Sequence, residues 1–364
     1  MVHQAQGQMV QEVAAGSLPA PPSRYVLRKE DRPTGGVAAP ELAFPTVDLQ
    51  RLAEPGDVEE AGKLRSALES WGLFAVTGHG MPESLLEGVR HAGMEFFHLP
   101  PEEKLRHANR TEDGEFQPEG YGIDRVDTDE QVLDWCDRLY LTVQPEEERR
   151  AQFWPARPPS LARLLHEYAL GSERVARRVL GAMARALGLG EGFFLGRVGD
   201  KVASYARFTF YPPCPRPDLV HGLKPHTDNS VVTVLLLDPD VGGLQVLKDG
   251  RWVDVPVLGR GELLVVVGDE MEIMSNAAFR APTHRVVARA GRERMTLALF
   301  YQPEPHRDLV PAEELVGEGR PARYKKLGAK TFADGFWDAF ALGERTIDFL
   351  KVKVEQEPQE LKAA

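Results

Sequence analysis

Three short apolar runs decide the fold: SVVTVLLLD at residues 230–238, ELLVVVGD at 262–269 and RMTLALF at 294–300. Each run is rich in β-branched or other apolar residues and is flanked by segments that contain glycine or proline, which is typical of strands in a compact β core. Comparable strand patterns, separated by turns such as Asp249-Gly250, fill residues 202–303. This arrangement predicts a mostly β protein with a double-sheet jelly-roll core and flanking helices.

Two histidines and an aspartate near these runs form a pattern that suits a metal. His226 and Asp228 are two residues apart in LKPHTD, and residues at that spacing on an extended chain point to the same face. We expect His284, in APTHRVV, to join them from a neighbouring strand. Two imidazoles and one carboxylate leave the other positions of an octahedral metal open, which suits non-haem Fe(II).

A second pair of polar residues follows the same spacing rule. Arg294 and Thr296 lie two residues apart at the start of the third run, so we predict that they share a face. A guanidinium beside a hydroxyl is well shaped to bind a carboxylate. A His-x-Asp pair alone occurs often by chance, whereas the metal pattern and the carboxylate clamp together are a specific signal.

Further motifs accompany these residues in a fixed order. The motif Tyr211-Pro212-Pro213-Cys214-Pro215 is followed by LKPHTD, GGLQVLKDGRWVDV, GDEMEIMSN, HRVV and RMT. Upstream of this motif the chain contains FPTVDL, WGLFAVTGHG and EFFHLPPEEK. In motif and order, nearly the whole chain resembles the plant soluble Fe(II)/2-oxoglutarate-dependent dioxygenases. The resemblance implies a double-stranded β-helix, or cupin-like, core with an N-terminal helical region and a C-terminal helix.

For the site, the resemblance implies that Fe(II) is bound by His226, Asp228 and His284. It also implies that three residues bind the far carboxylate of 2-oxoglutarate, the co-substrate consumed together with O2: Arg294, Thr296 and Tyr211. Two positions depart from the family pattern, because Thr209 stands where Asn is common and Thr296 where Ser is commoner. Both keep a hydroxyl, so we expect an altered co-substrate contact at Thr209 rather than a loss of activity.

Four residues are candidate contacts for the organic substrate. Residues 134–141 have a strand pattern, and the corresponding strand lines the substrate pocket in the family, which suggests Arg138 and Tyr140. Phe300 shares the face of Thr296 by parity and is placed to stack on a flat substrate. Phe336, on the final helix, is a candidate wall. For each aromatic residue the alternative is packing in the core.

Apolar periodicity predicts helices over residues 57–71, 82–99, 160–189 and 331–350. We expect Gly171 to interrupt or bend the third helix, and the irregular stretch 109–130 to form a lid or pocket wall. The predicted regions are a tail (1–40), an α/β region that packs on the barrel (41–200), the oxygenase jelly-roll core (201–305), a lid-helix region (306–352) and a frayed tail (353–364).

Composition excludes several classes of partner. The net charge is −11 and no Lys/Arg-rich tract occurs, so nucleic acid and anionic membranes are poor partners. No run of about 18 apolar residues and no secretory leader is present. Cys136 and Cys214 lack CxxC spacing, which suits a reducing compartment. We predict a cytoplasmic enzyme with a small-molecule substrate, and we expect it to be a monomer.

The substrate is predicted only as a class. Residues 120–143, 320–332 and 343–351 resemble a grass subgroup related to the oxygenases that hydroxylate triketone herbicides. We expect hydroxylation or O-demethylation of a small apolar or aromatic metabolite, hormone or xenobiotic. Three alternatives stay open: an oxidase of the aminocyclopropane-carboxylate type that uses no 2-oxoglutarate, a non-catalytic metabolite receptor, and a zinc hydrolase, for which no HExxH-type motif exists.

Overall fold

The structure is a computed structural model. It describes residues 9–16, 18–33, 44–54, 56–109 and 116–352. The frayed tail predicted at 353–364, the end of the leading tail and part of the irregular stretch 109–130 therefore lie outside the described residues. Among the described helices, none combines the length and the apolar character needed to span a bilayer.

The helices surround a β core. Their bounds are α1 (Val10–Ala15), α2 (Leu49–Leu52), α3 (Val58–Ser70), α4 (Glu83–Phe97), α5 (Pro101–Leu105), α6 (Leu161–Ala186), α7 (Phe193–Val198), α8 (Asp269–Met274) and α9 (Ala329–Leu342).

The strands form a large and a small sheet and one short pair. Their bounds are β1 (Thr46–Asp48), β2 (Leu73–Thr77), β3 (Gly120–Gly122), β4 (Asp137–Gln144), β5 (Ala203–Tyr211), β6 (His221–His226), β7 (Val232–Leu236), β8 (Leu244–Lys248), β9 (Arg251–Asp254), β10 (Leu263–Val267), β11 (His284–Val287), β12 (Arg294–Gln302), β13 (Asp308–Leu309) and β14 (Leu327–Gly328). The large sheet has the order β1-β2-β10-β7-β12-β5-β4-β3, the small sheet β6-β11-β8-β9, and β13 pairs with β14.

The large sheet is covered on both faces, and the residues of β10 show how. Leu263, Val265 and Val267 belong to the apolar cluster shared with α3, α4 and α6, whereas Leu264 and Val266 belong to the cluster shared with the small sheet. Alternate residues of a strand point to opposite faces, so an unbroken apolar run is what a doubly covered strand requires. The predicted mostly β, jelly-roll fold is confirmed.

The N-terminal region contributes directly to this sheet. β1 pairs with β2, and β2 pairs antiparallel with β10 of the core. At the other edge β4 pairs with β5, so strands from before residue 201 extend the core sheet on both sides. The leading segment is also attached, since the buried ring of Tyr25 packs edge-on against Trp135 with centroids 5.2 Å apart.

Two helix predictions were wrong in detail. α6 runs unbroken through Gly171, so the predicted interruption does not occur, and a Cβ there would lie 2.1 Å from Sδ of Met81, whose side chain would have to move. The helix predicted over 331–350 ends at Leu342, where Gly343 adopts the left-handed conformation, and a separate 3₁₀ helix follows at Thr346–Leu350. The short helix α8 was not predicted.

Candidate active site

The two candidate metal-binding histidines lie opposite each other on paired strands. β6 and β11 are antiparallel, and His226 is the register partner of His284. Their ring centroids are 4.3 Å apart. The pairing register of β6 and β11 therefore brings together two histidines that lie far apart in the sequence.

Asp228 completes the group just beyond the end of β6. Its Oδ1 atom is 3.7 Å from Nε2 of His226 and 3.6 Å from Nε2 of His284, and one donor atom from each residue lies within 4.8 Å of the others. The carboxylate is buried, and its Oδ2 atom has no hydrogen-bond partner among the residues that the structure describes. A buried carboxylate oxygen without a partner is costly unless a cation is bound beside it.

The hydrogen bonds of the histidines leave the right nitrogens free for a metal. Nδ1 of His226 faces the carbonyl oxygen of Lys224 at 2.8 Å, and Nδ1 of His284 faces that of Pro282 at 3.1 Å. A carbonyl only accepts, so both Nδ1 atoms carry the hydrogen, and both Nε2 lone pairs are left for a metal near Oδ1 of Asp228. Burial, followed by the neighbouring His284, lowers the pKa of His226 well below its usual value, which keeps the imidazole neutral. This donor set fits Fe(II).

The candidate carboxylate clamp lies on the adjoining strands of the large sheet. Arg294 on β12 is the register partner of Tyr211 on β5, and Thr296 follows on the same face of β12. Arg294 is buried and donates from Nε to the carbonyl of Val241 at 3.1 Å, whereas its Nη1 atom is buried with no hydrogen-bond partner in the described part of the chain. An unsatisfied buried guanidinium nitrogen fits the carboxylate of a dicarboxylic acid.

One cavity connects these two groups to an aromatic wall. Its volume is about 60 Å³, and it is bordered by the metal-binding candidates, by the clamp residues and by Tyr140, Phe300 and Phe336. Three of the four predicted substrate contacts therefore border the cavity. Arg138 instead borders a separate small cavity, and its guanidinium carbon lies 5.5 Å from the ring centroid of Tyr140 and 5.2 Å from that of Trp337.

Sequence reasoning missed three residues that border the same cavity: Arg207, Trp337 and Phe340. Strand parity could have identified the first, because 207, 209 and 211 share one face of β5. Helical spacing could have identified Phe340, which lies one turn after Phe336 with ring centroids 5.5 Å apart. Thr209 accepts a hydrogen bond from Nε of Arg207 at 3.1 Å.

Comparison with known proteins places this site in a family. Residues 201–303 match the 2OG-Fe(II) oxygenase superfamily, and residues 44–160 match the N-terminal region described for the non-haem dioxygenase in morphine synthesis. Jasmonate-induced oxygenase 4 of Arabidopsis thaliana is 35% identical over 322 residues, which cover 87% of this chain and 89% of that protein. The chain belongs to the 2OG-Fe(II) oxygenase superfamily.

Other members resemble the chain over similar lengths. Oxoglutarate-dependent flavonoid 7-O-demethylase 1 of Ocimum basilicum is 32% identical, covering 94% of this chain and 91% of that protein. The crystal structure of JOX2 in complex with 2OG, Fe and JA superposes with a TM-score of 0.84 at 28% identity, covering 95% of this chain and 98% of that one. The protein is thus a dioxygenase that uses Fe(II) and 2-oxoglutarate, as its donor set also indicates.

Proposed function

We propose that this dioxygenase hydroxylates or O-demethylates a small, mostly apolar or aromatic molecule. The observation that carries the proposal is the cavity, in which Tyr140, Phe300 and Phe336 border the same space as His226 and His284. Aromatic walls bind flat apolar groups through dispersion and through exclusion of water. A substrate held there would have its oxidisable carbon beside the metal-binding side chains.

Six residues have proposed roles. Fe(II) would be held by His226, Asp228 and His284, and the far carboxylate of 2-oxoglutarate by Arg294, Thr296 and Tyr211. When bound, the iron and 2-oxoglutarate supply the activation of O2 that oxidises a substrate C–H bond.

The chain's own contribution is orientation and the exclusion of water. The Lys224 and Pro282 carbonyls fix both imidazoles with Nε2 toward the metal position. Burial raises the pKa of Tyr211, so its hydroxyl keeps its proton and can donate to a carboxylate. Arg294 offers a charge that is already desolvated, which strengthens its attraction for the co-substrate.

The substrate class is supported by relatives and by the earlier resemblance. The relatives include a flavonoid 7-O-demethylase and jasmonate-induced oxygenases, and JOX2 was crystallised with JA. We propose a specialised metabolite, a hormone or a xenobiotic such as a triketone herbicide. The herbicide subgroup rests on the resemblance of residues 120–143, 320–332 and 343–351.

We also propose a cytoplasmic monomer that binds neither nucleic acid nor membrane. The net charge of −11 supports this, and both cysteines, Cys136 and Cys214, are buried free thiols. The division into regions 1–40, 41–200, 201–305, 306–352 and 353–364 stays a prediction. Size-exclusion chromatography with light scattering would test the monomer, and a dimeric mass would contradict it.

A substrate screen tests the proposed reaction. Purified enzyme with Fe(II), ascorbate, O2 and 2-oxoglutarate would be incubated with flavonoids, methoxylated aromatics and triketones, and succinate and products would be measured by mass spectrometry. We expect succinate to form in proportion to a product that gains an oxygen atom or loses a methyl group. Equal product without 2-oxoglutarate would indicate the oxidase alternative, and ligand binding without turnover the receptor alternative. Either result would overturn the proposal.

A further inference from the structure

Arg207 is the remaining charged group on the cavity wall. Within the described part of the chain, the charged or ionisable residues bordering the cavity are the metal-binding candidates, Arg294 of the clamp, Tyr140, Tyr211 and Arg207. The rest of the wall toward the substrate is aromatic or aliphatic, with Asn229 and two threonines. Whether Arg207 presents a positive charge to the substrate therefore decides which substrates the cavity accepts.

That charge is covered by Asp124. Nη1 of Arg207 donates to Oδ1 of Asp124 at 2.9 Å, and Nη2 donates to Oδ2 at 2.8 Å. The third guanidinium nitrogen, Nε, is bonded to Thr209. Both partners are buried, with side chains 8% and 9% exposed. This bidentate geometry is a strong pairing for a guanidinium, and each of the three nitrogens of Arg207 already donates one hydrogen bond. A substrate anion could contact only the second N–H of Nη1 or Nη2, beside the carboxylate of Asp124.

Asp124 is ionised at any working pH. Burial alone raises the pKa of its carboxyl, but Arg207 and then Arg138 outweigh burial and hold the pKa well below the usual range. Arg138 contributes a 2.7 Å hydrogen bond from Nε to Oδ1. The carboxylate of Asp124 thus accepts hydrogen bonds from two guanidinium groups, those of Arg207 and Arg138.

The other cations near the wall also have partners, although Nη2 of Arg138, which borders the separate small cavity, has no hydrogen bond among the described residues. Arg138 donates from Nη1 to the carbonyl of Pro118 at 2.7 Å and lies over the rings of Tyr140 and Trp337. Lys224 lies 4.4 Å from the ring centroid of Phe340, and its Nζ atom pairs with Asp134 at 3.0 Å. A substrate in the cavity therefore meets rings and paired charges.

We propose that Asp124 is a specificity-determining residue, which covers Arg207 and restricts the cavity to uncharged, flat aromatic substrates. This inference rests on the proposed function and narrows its substrate class. A substrate carboxylate beside Arg207 would have to displace Asp124 or lie against it as a like charge in a desolvated site, and both arrangements are unfavourable. A neutral ring system meets neither obstacle.

Two probes of nearly equal shape separate charge from fit: 2-naphthamide, which is neutral, and 2-naphthoate, which is an anion at neutral pH. Each would be titrated calorimetrically, without oxygen, into the full-length protein loaded with Fe(II) and saturating 2-oxoglutarate. Because saturating 2-oxoglutarate occupies the carboxylate clamp at Arg294, naphthoate cannot bind there. The variants are Asp124→Asn, which uncovers Arg207, and Asp124→Asn with Arg207→Gln, which removes the ion pair but keeps the net charge of the cluster.

We expect wild type to bind the amide at least about tenfold more tightly than the carboxylate, because an uncompensated like charge is strongly disfavoured. Asp124→Asn should lower the ratio of amide affinity to carboxylate affinity by a similar factor, so that the two probes bind equally or the carboxylate binds more tightly. The double variant should restore the wild-type preference for the amide. Equal or tighter binding of naphthoate by wild type would overturn the proposal, as would binding of neither probe. If Asp124→Asn fails to fold, Arg207→Gln decides instead, because it leaves Asp124 beside the cavity without its bidentate partner. The preference for the amide should then exceed the wild-type ratio, and an unchanged or smaller ratio would overturn the proposal.

The same titration separates this proposal from the proposed function. Failure to form the visible absorption band of metal-bound 2-oxoglutarate would contradict the proposed function. The preference for the amide could still be measured in metal-free Arg294→Gln protein, because the Arg207–Asp124 pair needs no metal and this variant removes the clamp cation that naphthoate could otherwise occupy. A normal band with a preference for naphthoate would instead overturn only the role of Asp124.

Discussion

Arg345, at the start of the C-terminal 3₁₀ helix, donates a hydrogen bond from Nε to Oγ1 of Thr227 at 3.1 Å. Thr227 lies between the metal-binding candidates His226 and Asp228. Nη2 of Arg345 also donates to Asp269 at 3.0 Å, and the main-chain N–H of Asp269 donates to the carbonyl of Asp228 at 2.7 Å. The C-terminal segment is therefore bonded directly to the loop that carries the metal donors.

Arg345 reaches the second metal-binding arm through Glu272. Nη2 of Arg345 is 3.7 Å from Oε2 of Glu272, which accepts a 2.8 Å hydrogen bond from the main-chain N–H of Ala281. Ala281 precedes the turn that leads into His284. One side chain from the end of the described chain thus supports both arms.

Replacing Arg345 should weaken metal binding. Side chains that orient metal ligands typically change affinity by about 10–100-fold when removed, and we expect a loss in that range for Arg345→Met. Lys351→Met is the matched control, because it removes a cation of the same segment whose partner, Asp348, is half-exposed. Fe(II) titration of both variants measures the effect. An unchanged dissociation constant in folded Arg345→Met would contradict the positioning role.

Phe336 should contribute to substrate affinity but not to co-substrate affinity. Its ring borders the cavity and packs on Trp337 and Phe340 with centroids 5.2 Å and 5.5 Å away. Losing this surface in Phe336→Ala should raise KM for the organic substrate by about tenfold. Phe349→Ala, on an exposed ring of the same segment, is the control. An unchanged substrate KM, or a weaker 2-oxoglutarate affinity, would argue against the assigned wall.

Gly268 should tolerate no side chain, because its backbone approaches another strand end. A Cβ there would lie 1.8 Å from the carbonyl oxygen of Ser230. We expect Gly268→Ala to lower the free energy of unfolding by about 3 kcal/mol through overpacking. Gly261→Ala, where the nearest atom is 3.8 Å away, is the control. Urea denaturation compares them, and equal stabilities would show that the backbone can separate at little cost.

Asp137 should make stability depend on pH. The carboxylate accepts hydrogen bonds from the main-chain N–H groups of Val10 at 2.7 Å and Gln11 at 2.9 Å, yet burial raises its pKa to about 6. The pKa of an aspartate in the unfolded chain is about 4. The contribution of Asp137 to the free energy of unfolding is therefore complete at low pH and is lost as the pH rises through 6. Urea denaturation should show that the free energy of unfolding of wild type, relative to that of Asp137→Asn, falls by about 2 kcal/mol between about pH 4.5 and 7.5. A difference that stays constant or grows would contradict this.

Local patterns in the sequence predicted much of the fold and the candidate site. The apolar run at residues 262–269 indicated a strand of the β core, and the spacing of His226 and Asp228 indicated a shared direction. His284 was expected from a neighbouring strand, and the family resemblance implied the same residue, but only the β6–β11 register shows that it lies opposite His226.

Interactions between distant segments could not be predicted. Arg207 with Asp124, and Arg345 with Thr227, are separated by long stretches of chain and leave no periodic signal. Gly171 was misread for a related reason, since its role is to admit Met81 and not to end a helix. Side-chain contacts of this kind depend on tertiary packing, which overrides local propensity.

The most direct test is an anaerobic titration of the protein with Fe(II) and 2-oxoglutarate, monitored by the weak visible charge-transfer band of the metal-bound keto acid. We predict that wild type forms the band, that His226→Ala abolishes it, and that Arg294→Ala requires much more 2-oxoglutarate to produce it. Absence of the band in folded, metal-loaded wild type, or a full band in His226→Ala, would contradict the assignment of this site.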